Sequence, residues 1–365
     1  MLEGIRIVEV EALGPGPFGA MLLADLGADV ITIHRKSGSA APGFGDRNPL
    51  DRGKRSIELD LKDPADAETA RALISTADGL IEGFRPGVME RLGLGPDECH
   101  AVNPALVYGR MTGWGQNGPK AHRAGHDLNY IATSGALWYA SPPGDAPLTP
   151  PTLVGDIGGG ALYLVVGMLS GILRARMTGK GTVVDAAIVD GSAHMMNLFM
   201  ALSAGGFLSI ERGRSLLDGP HWCRTYRAAD GGYVSVQCLE PKFYAEFIAR
   251  MGLAGDAAFD DQFDVAAWPE LTERLAGIFA EKPRAHWAAL FEESDACVAP
   301  VLDPAEAAGD PHMAARDVWH GEAPVLQAAP APRFSGQEAW QPKPSPVRGE
   351  HAGEILAELE KRKMD

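Results

Sequence analysis

Short apolar runs alternate with helical patterns along the first 190 residues of the chain. Strands are predicted for five apolar runs, Ile5–Val10, Asp29–His34, Asp78–Phe84, Ala105–Met111 and Gly181–Val189. Helical periodicity between them predicts helices at Pro17–Leu26, Ala65–Thr76 and Val88–His100. This alternation predicts an α/β fold, a large Rossmann-like domain with a parallel sheet and helices on both faces.

The pattern changes after residue 190. A helix is predicted at Gly191–Gly205, a hairpin at Thr225–Gln237, helices at Lys242–Met251, Pro269–Glu281 and Arg284–Glu293, and a strand at Cys297–Leu302. These elements predict a smaller α+β domain. An extended segment over 327–346 and a polar helix at Glu350–Lys363 follow. We therefore place a large domain at 1–190, to which 328–365 returns, a linker at 191–224, the small domain at 225–310 and a second linker at 311–327.

Charge and cysteine content narrow the function classes. The chain has 33 Lys and Arg against 48 Asp and Glu, a net charge of −15, which argues against nucleic-acid and anionic-membrane partners. Its four cysteines are scattered, which indicates neither a disulfide framework nor a zinc site. The apolar stretch Ala161–Leu173 is shorter than the roughly 20 residues that a bilayer requires. No signal peptide is recognisable, so we expect a cytoplasmic protein.

One glycine pattern matches a nucleotide-binding motif. Gly14–Gly19 fits G-x-G-x-x-G between a predicted strand and a predicted helix. Two of its variable positions are proline, which removes N–H donors from a loop meant to hold a pyrophosphate. The next strand ends in His34-Arg35-Lys36 instead of an acid, although an arginine there suits NADP. We therefore prefer a tight strand-to-helix turn over a nicotinamide site.

Basic residues are concentrated after the second predicted strand. They are Arg35, Lys36, Arg47, Arg52, Lys54 and Arg55, with only Asp46 and Asp51 as acids among them. Arg85 and Arg91 follow another predicted strand. Because ligands bind at the carboxyl ends of parallel strands, these cations indicate a phosphate-bearing ligand. A solvated loop with ordinary surface charge is the alternative, and composition does not decide between them.

Six longer motifs carry a family resemblance. They are Gly14–Asp29, Ile81–Gly95, Met111–Pro119, Gly125–Tyr130, Gly155–Gly160 and Glu240–Tyr244. In this order they resemble family III CoA-transferase-fold proteins and, within that family, alpha-methylacyl-CoA racemases. The resemblance extends from residue 2 to about residue 320.

The resemblance implies an acyl-CoA thioester as substrate, bound by an interlocked homodimer. CoA would be held by Arg35, Glu58, Leu59, Asp60, Leu61, Gly83, Phe84, Arg85 and Arg91, with Gly125, Leu128, Asn129 and Tyr130 along the thioester. The resemblance implies no metal and no cofactor, because the CoA belongs to the substrate. It leaves the acyl group open among fatty, steroid side-chain and aryl-propionate types.

Racemisation next to a thioester needs two proton-transfer groups, one on each face of a flat enolate. The resemblance assigns this pair to His126 and Asp156, with Glu240 of the other subunit orienting the histidine and the backbone N–H of Asp127 holding the enolate oxygen. Both members of the pair stand at predicted helix starts, which favours a carboxylate on Asp156 and a neutral imidazole on His126. Since the pair shares one proton, both directions should have one bell-shaped pH window.

Other interpretations of these residues stay open. Asp127 and Asp156 are also suitable helix N-caps. Family transferases use an aspartate at the position of Asp127 as the nucleophile that carries the acyl group, so a CoA-transferase is the main alternative. A third is an acyl-CoA-binding homologue without catalysis. His126, Asp156 and Glu240 together favour the racemase.

Two further features bear on the acyl group. The 219–224 segment, Gly-Pro-His-Trp-Cys-Arg, departs from the racemase pattern, so Trp222 and His221 either favour a ring-bearing or polar acyl group or belong to a linker away from the substrate. Met195, Met196 and Met200 form an adaptable apolar surface for the acyl chain or pack within a core or an interface.

Overall fold

Two compact units make up the chain. The computed structural model describes residues 1–38, 47–321, 326–336 and 339–364. The first unit comprises Met1–Ala136, Pro150–Met196 and Gln327–Asp365, and the second comprises Leu137–Thr149 and Asn197–Leu326. The first unit thus omits 137–149, which the sequence pattern places in the large domain, and includes 191–196, which the pattern places in a linker. Residues 322–325 of the predicted second linker and 337–338 of the predicted extended segment lie outside the described residues.

A six-stranded parallel sheet is the centre of the first unit. Its strands are β1 (Arg6–Val10), β2 (Asp29–His34), β3 (Arg55–Glu58), β4 (Gly79–Glu82), β5 (Val107–Thr112) and β6 (Thr182–Ala187), in the order β3-β2-β1-β4-β5-β6. The predicted Rossmann-like α/β class is confirmed. The sequence missed β3, because its four residues, Arg-Ser-Ile-Glu, contain a single strongly apolar side chain.

Each predicted helix is present, two of them as pairs of shorter helices, and two further helices within 304–315 were not predicted. They are α1 (Pro15–Asp25), α2 (Pro64–Ser75), α3 (Val88–Arg91), α4 (Pro96–Val102), α5 (Asp127–Ser134), a π-helical segment (Leu153–Ala161), α6 (Leu162–Thr178), α7 (Ile188–Met195), α8 (Asn197–Ala204), α9 (Pro241–Arg250), α10 (Trp268–Phe279), α11 (Arg284–Phe291), α12 (Pro304–Gly309), α13 (Pro311–Ala315) and α14 (Ala352–Met364). Short 3-10 turns occur at Pro49–Asp51 and Ala257–Phe259. The predicted helix Val88–His100 is divided into α3 and α4 because Gly93 takes a left-handed φ of 66°.

Both faces of the parallel sheet are buried, as continuous apolar strands predict. Ile7 and Val107 belong to a core that includes α6, whereas Val8 belongs to a second core that includes α2 and α14. The alternation of Ile7 and Val8 along β1 is the two-residue period of a strand. Because both faces are covered, a ligand can reach the sheet at the carboxyl ends of its strands.

One apolar helix is longer than the sequence analysis expects. The π-helical segment and α6 form one stretch of 26 residues, Leu153–Thr178, which among the described residues is the one long and apolar enough to cross a membrane by length and composition. Leu164 and Met168 of this stretch are fully buried in the core with Val107. Core helices of this kind satisfy the same criterion, but the expectation that no apolar helix reaches spanning length is wrong.

Besides Lys36, whose Nζ lies 2.6 Å from Asp66, three of the clustered basic residues form ion pairs inside the first unit. Arg52 meets Asp25 at 2.6 Å, and Arg55 meets Asp29 and Glu358, both at 2.7 Å. The expectation that these two arginines bind phosphate, or that they belong to a solvated loop, is wrong in both forms. Asp46, an acid of the same stretch, lies outside the described residues.

Lys54 is the third of these residues, and its side chain is completely buried. Its Nζ lies 2.7 Å from Glu9 and 3.4 Å from Asp51, and it donates to the carbonyl of Pro17 at 3.1 Å. Asp51 also accepts a contact from His34 Nε2 at 3.2 Å. The ammonium group thus connects the sheet to the first turn of α1 and is not available to a ligand.

The second unit contains an antiparallel sheet of β7 (Cys223–Arg227), β8 (Tyr233–Gln237) and β9 (Val298–Val301), which confirms the predicted hairpin and third strand. Two-residue strands β10 (Trp319–His320) and β11 (Gln327–Ala328) come later in the chain.

Trp222 and His221 belong to the core of the second unit, and both are fully buried. The Trp222 indole N–H donates to the carbonyl of Gln262 at 2.9 Å, and His221 Nε2 lies 2.8 Å from the hydroxyl of Tyr244. Burial lowers the pKa of His221 to about 4. These contacts show that Trp222 and His221 pack within the second unit, and their effect on the acyl group stays a prediction.

Replacing Lys54 by Met tests the buried charge network. The variant keeps an apolar stem but leaves the Glu9 carboxylate buried without its cation, so the free energy of unfolding should fall by about 3–5 kcal/mol. Urea titration followed by circular dichroism measures this. The exposed Lys180→Met control should stay within about 0.5 kcal/mol of wild type. Equal losses in the two variants would contradict the assignment.

Candidate active site

The larger of two cavities lies at the carboxyl ends of β1 to β4. It has a volume of about 770 Å³ and is lined by Val10, Glu11, Ile33, His34, Arg35, Lys36, Ser37, Leu59, Asp60, Leu61, Lys62, Phe84, Val88, Arg91 and Leu92. The strand order reverses between β1 and β4, and open α/β sheets bind ligands at such a point. Four cations, Arg35, Lys36, Lys62 and Arg91, make it suitable for phosphate groups.

Most residues predicted to hold the nucleotide line this cavity. Arg35, Leu59, Asp60, Leu61, Phe84 and Arg91 are among them. Glu58 is not, because its carboxylate lies 3.6 Å from Arg348 Nε. Lys36, which the sequence analysis names only as a member of the basic cluster, also lines the cavity, and the sequence missed Ser37 and Lys62. Recognition of β3 would have located Lys62, because it follows that strand closely.

The smaller cavity, of about 420 Å³, adjoins the larger one and shares Arg35 and Phe84 with it. Predicted residues in its lining are Gly83, Arg85, Gly125, His126, Tyr130 and Asp156. Trp114 and Arg123 also line it and were missed. Leu128 and Asn129 lie outside the described lining of both cavities. This places the predicted acid–base pair in one cavity, next to a cationic one.

His126 is held at the start of α5. It is the N-cap residue, with extended backbone angles, and its N–H donates to the side-chain oxygen of Asn129 at 3.0 Å. The prediction of Asp127 as an N-cap is wrong, because Asp127 is the first helical residue. The Tyr130 hydroxyl donates to the carbonyl of Gly125, and its ring lies so close to Gly113 that an added Cβ there would be 1.9 Å from Cζ. Tyr130 therefore fixes the loop before His126.

Asp156 lies in the first turn of the π-helical segment. Segments of π-helix are rare in proteins, but many of those that occur are found at functional sites. Across the cavity, Gly14 caps α1 with a φ of 68°, and a Cβ there would lie 3.6 Å from Asp156 Oδ2. The glycine pattern is thus the predicted strand-to-helix turn, in which the positive φ of Gly14 favours glycine and the turn lies next to the Asp156 carboxyl group.

The carboxylate of Asp127 is bonded to the protein backbone. Its Oδ1 accepts the backbone N–H of Asp156 at 2.8 Å, and the residue is only 7% exposed. A Cβ at Gly155 would lie 2.3 Å from this oxygen, so the close approach requires glycine. Asp127 is not among the residues that line the smaller cavity. Its side chain therefore joins the start of α5 to the π-helical segment.

The pKa of Asp156 is raised to about 6, because burial and then the negative charge of Asp127 raise it more than His126 lowers it. A helix start alone would lower this pKa, so burial and the neighbouring carboxylate act in the direction opposite to the helix dipole. An acid with a pKa of about 6 is present in both forms near neutral pH. It can therefore donate a proton as well as accept one.

A buried carboxylate supports the loop shared by the two cavities. Glu82, at the end of β4, accepts the N–H of Phe84 at 2.7 Å and the Arg110 Nε–H at 3.1 Å. Arg110 also donates to Glu90 of α3 at 2.8 Å. Burial raises the pKa of Glu82 to about 7. No sequence pattern indicates this network, because it depends on the pairing of β4 with β5.

Within the described ranges, no three His, Cys, Asp or Glu side chains lie close enough together to bind a metal ion.

Two of the predicted acyl-chain methionines have described surroundings. Met195 packs near Gly158 of the π-helical segment, and Met200 is 49% exposed on α8. Their role towards an acyl chain stays a prediction.

Gly155→Ala tests the close contact between Asp127 and the π-helical segment. The added methyl would overlap Asp127 Oδ1 and crowd Ile131, so the free energy of unfolding should fall by about 1–3 kcal/mol in urea titration. Gly158→Ala is the matched control, because the nearest atoms lie 3.3–3.4 Å from its Cβ. A larger loss in the control than in Gly155→Ala would refute the constraint.

Comparison with known proteins identifies the family of the chain. CoA-transferase family III matches residues 2–352. Human alpha-methylacyl-CoA racemase is 40% identical over 370 residues, covering 98% of this chain and 93% of that protein. Acetyl-CoA:oxalate CoA-transferase of Acetobacter aceti is 31% identical, covering 97% and 94%. The crystal structure of a CAIB/BAIF family protein from Brucella suis superimposes with a TM-score of 0.83 at 28% identity, covering 98% of this chain and 99% of that one. The chain therefore belongs to CoA-transferase family III.

Proposed function

We propose that the protein is a racemase of 2-methylacyl-CoA thioesters. The observation that carries this proposal is the presence of His126 and Asp156, an imidazole and an acid of pKa about 6, in one cavity beside a larger cationic cavity. Full-length similarity to a human alpha-methylacyl-CoA racemase supports the same reaction.

The two cavities suggest how the substrate is oriented. The nucleotide end of CoA is placed in the larger cavity, where Arg35, Lys62 and Arg91 neutralise phosphate charge. The thioester is placed in the smaller cavity, past Phe84, which lines both. The α-carbon then comes to the region between His126 and Asp156.

Proton transfer between these groups needs no other reactant. Neutral His126 removes the α-proton from one enantiomer, and the electron pair moves to the thioester oxygen to form an enolate. Protonated Asp156 then returns a proton to the opposite face, which leaves a histidine cation and an aspartate anion. This is the protonation state that serves the reverse reaction. The N–H of Asp127 is at the first position of α5, where helical N–H groups have no intrahelical acceptor, and it is the donor we propose for the enolate oxygen.

The main alternative is a CoA-transferase in which Asp127 carries the acyl group. Similarity to acetyl-CoA:oxalate CoA-transferase and the presence of this aspartate favour it. Against it, the Asp127 carboxylate accepts the Asp156 N–H and lies outside the described lining of the smaller cavity. One oxygen of Asp127 is thus bonded to the backbone instead of facing the thioester, which favours the racemase.

We also propose a cytoplasmic, cofactor-independent homodimer. Four free cysteines suit a reducing compartment. Val166, Leu173 and Met177 on α6 are 63–78% exposed, an apolar face suited to a second copy. In this dimer Glu240, an exposed residue at the N-cap of α9, comes from the second copy and orients His126.

Incubation of one 2-methylacyl-CoA enantiomer in D₂O tests the proposed activity. We expect deuterium at the α-carbon with loss of optical purity, measured by mass spectrometry and chiral analysis. His126→Ala should lower the rate by about 10²–10⁴-fold, the usual contribution of a general acid–base group. The exposed His312→Ala is a matched control. Transfer of CoA to an added free acid, without exchange of the α-proton, would contradict the proposed racemase and indicate a CoA-transferase.

Asp127→Asn separates the two functions by pH dependence. The amide oxygen can still accept the Asp156 N–H, but the negative charge that helps to raise the Asp156 pKa is gone. The pKa of Asp156 therefore falls, Asp156 stays deprotonated to lower pH, and the acid limb of log kcat/KM should move to lower pH with racemisation retained.

The exposed Asp97→Asn control should leave that limb unchanged. Abolition of all activity by Asp127→Asn would instead indicate the transferase, because an amide cannot carry the acyl group.

A further inference from the structure

A short C-terminal segment runs along the outermost strand of the parallel sheet. Gly349 N–H donates to Ser56 Oγ at 2.8 Å, and His351 N–H donates to the Ser56 carbonyl at 2.9 Å. In return, Ser56 N–H donates to His351 Nδ1 at 3.2 Å. We call residues 347–351 the C-terminal brace. It covers β3, the strand whose following residues line the larger cavity.

Arg348 of this brace makes a two-point contact with Glu11. Its terminal nitrogens donate to the two carboxylate oxygens at 2.7 and 3.1 Å, and one of them also donates to the carbonyl of Arg35 at 2.6 Å. The side chains of Arg348 and Glu11 are only 11% and 14% exposed. Paired planar groups with this little exposure to water hold a fixed geometry.

Glu11 is an acid in the lining of a cavity that is otherwise suited to phosphate. It also accepts the N–H of Arg35 at 2.9 Å, so it fixes the backbone of a second lining residue. Burial alone would raise the pKa of Glu11, but the bonds from Arg348 and from Arg35 N–H outweigh burial and lower it. Glu11 therefore stays ionised beside the ligand, and its charge must be neutralised from elsewhere.

We propose that Arg348 is a positioning residue for CoA binding, which neutralises Glu11 and fixes Arg35 from behind the larger cavity. This rests on the proposed function only in that CoA occupies this cavity, and it is independent of the proton-transfer chemistry. Loss of Arg348 would turn Glu11 into an uncompensated anion facing phosphate groups.

Calorimetric titration of the full-length Arg348→Met variant with free CoA tests the inference. We expect the Kd for CoA to rise about tenfold or more, since a buried charge becomes uncompensated. Under the proposed racemase activity, KM should rise in parallel while kcat stays within about twofold. Arg362→Met, which removes an exposed arginine from α14, should keep the wild-type Kd.

A second substitution distinguishes charge from folding. Glu11→Gln in the Arg348→Met background should restore most of the CoA affinity, and Arg348→Lys should lose less affinity than Arg348→Met because the charge is kept. If Arg348→Met is too unstable to purify, the double variant and Arg348→Lys give the same comparison with wild type.

The outcomes separate this inference from the proposed function. If wild type and Arg348→Met bind CoA with equal affinity, the role of Arg348 is overturned but the proposed function is not. The positioning role is also overturned if Glu11→Gln does not restore the CoA affinity that Arg348→Met loses and if kcat and KM change together. Arg348 would then have a structural role. Wild type that does not bind CoA would overturn both.

Discussion

The hydrogen bond from the Asp156 backbone to the Asp127 carboxylate is the constraint on which the candidate site depends. It joins the start of α5, which carries His126, to the π-helical segment, which carries Asp156. The same carboxylate places a negative charge near Asp156 and so raises its pKa in addition to burial. One aspartate thus helps to fix the position of Asp156 and contributes, after burial, to its raised pKa, and it is itself outside the described lining of the smaller cavity.

The remaining architecture is suited to bring CoA to this pair under the proposed function. The strand order reverses between β1 and β4, and at this sheet edge Arg35 and Phe84 line both the cationic cavity and the cavity with His126 and Asp156. Buried ion pairs stabilise the walls from behind, with Lys54 under the first turn of α1 and Glu82 under the Gly83–Arg85 loop. The protein is acidic overall, so local placement of cations makes the site suitable for phosphate.

The sequence predicted the parallel sheet, the hairpin and the candidate pair because these depend on local periodicity and on long collinear motifs. It failed where a residue's role depends on a distant partner. The sequence alone indicates three ligand cations, Arg52, Lys54 and Arg55. In the folded chain they form ion pairs with Asp25, Glu9 and Asp29. β3 has too few apolar residues to be recognised alone. The raised pKa of Asp156 depends on burial and on Asp127, 29 residues away along the chain, and helix polarity alone predicts the opposite direction.

The proposed reaction requires two groups that exchange protons on opposite faces of one enolate. The most direct test is the position of deuterium at low conversion, when one 2-methylacyl-CoA enantiomer has been incubated with the protein in D₂O. Two groups predict deuterium in the inverted product while the recovered substrate keeps its α-proton, because the removing group and the returning group are different. An inverted product that retains the substrate's own α-proton would contradict the account, since one group would then have carried the proton across both faces.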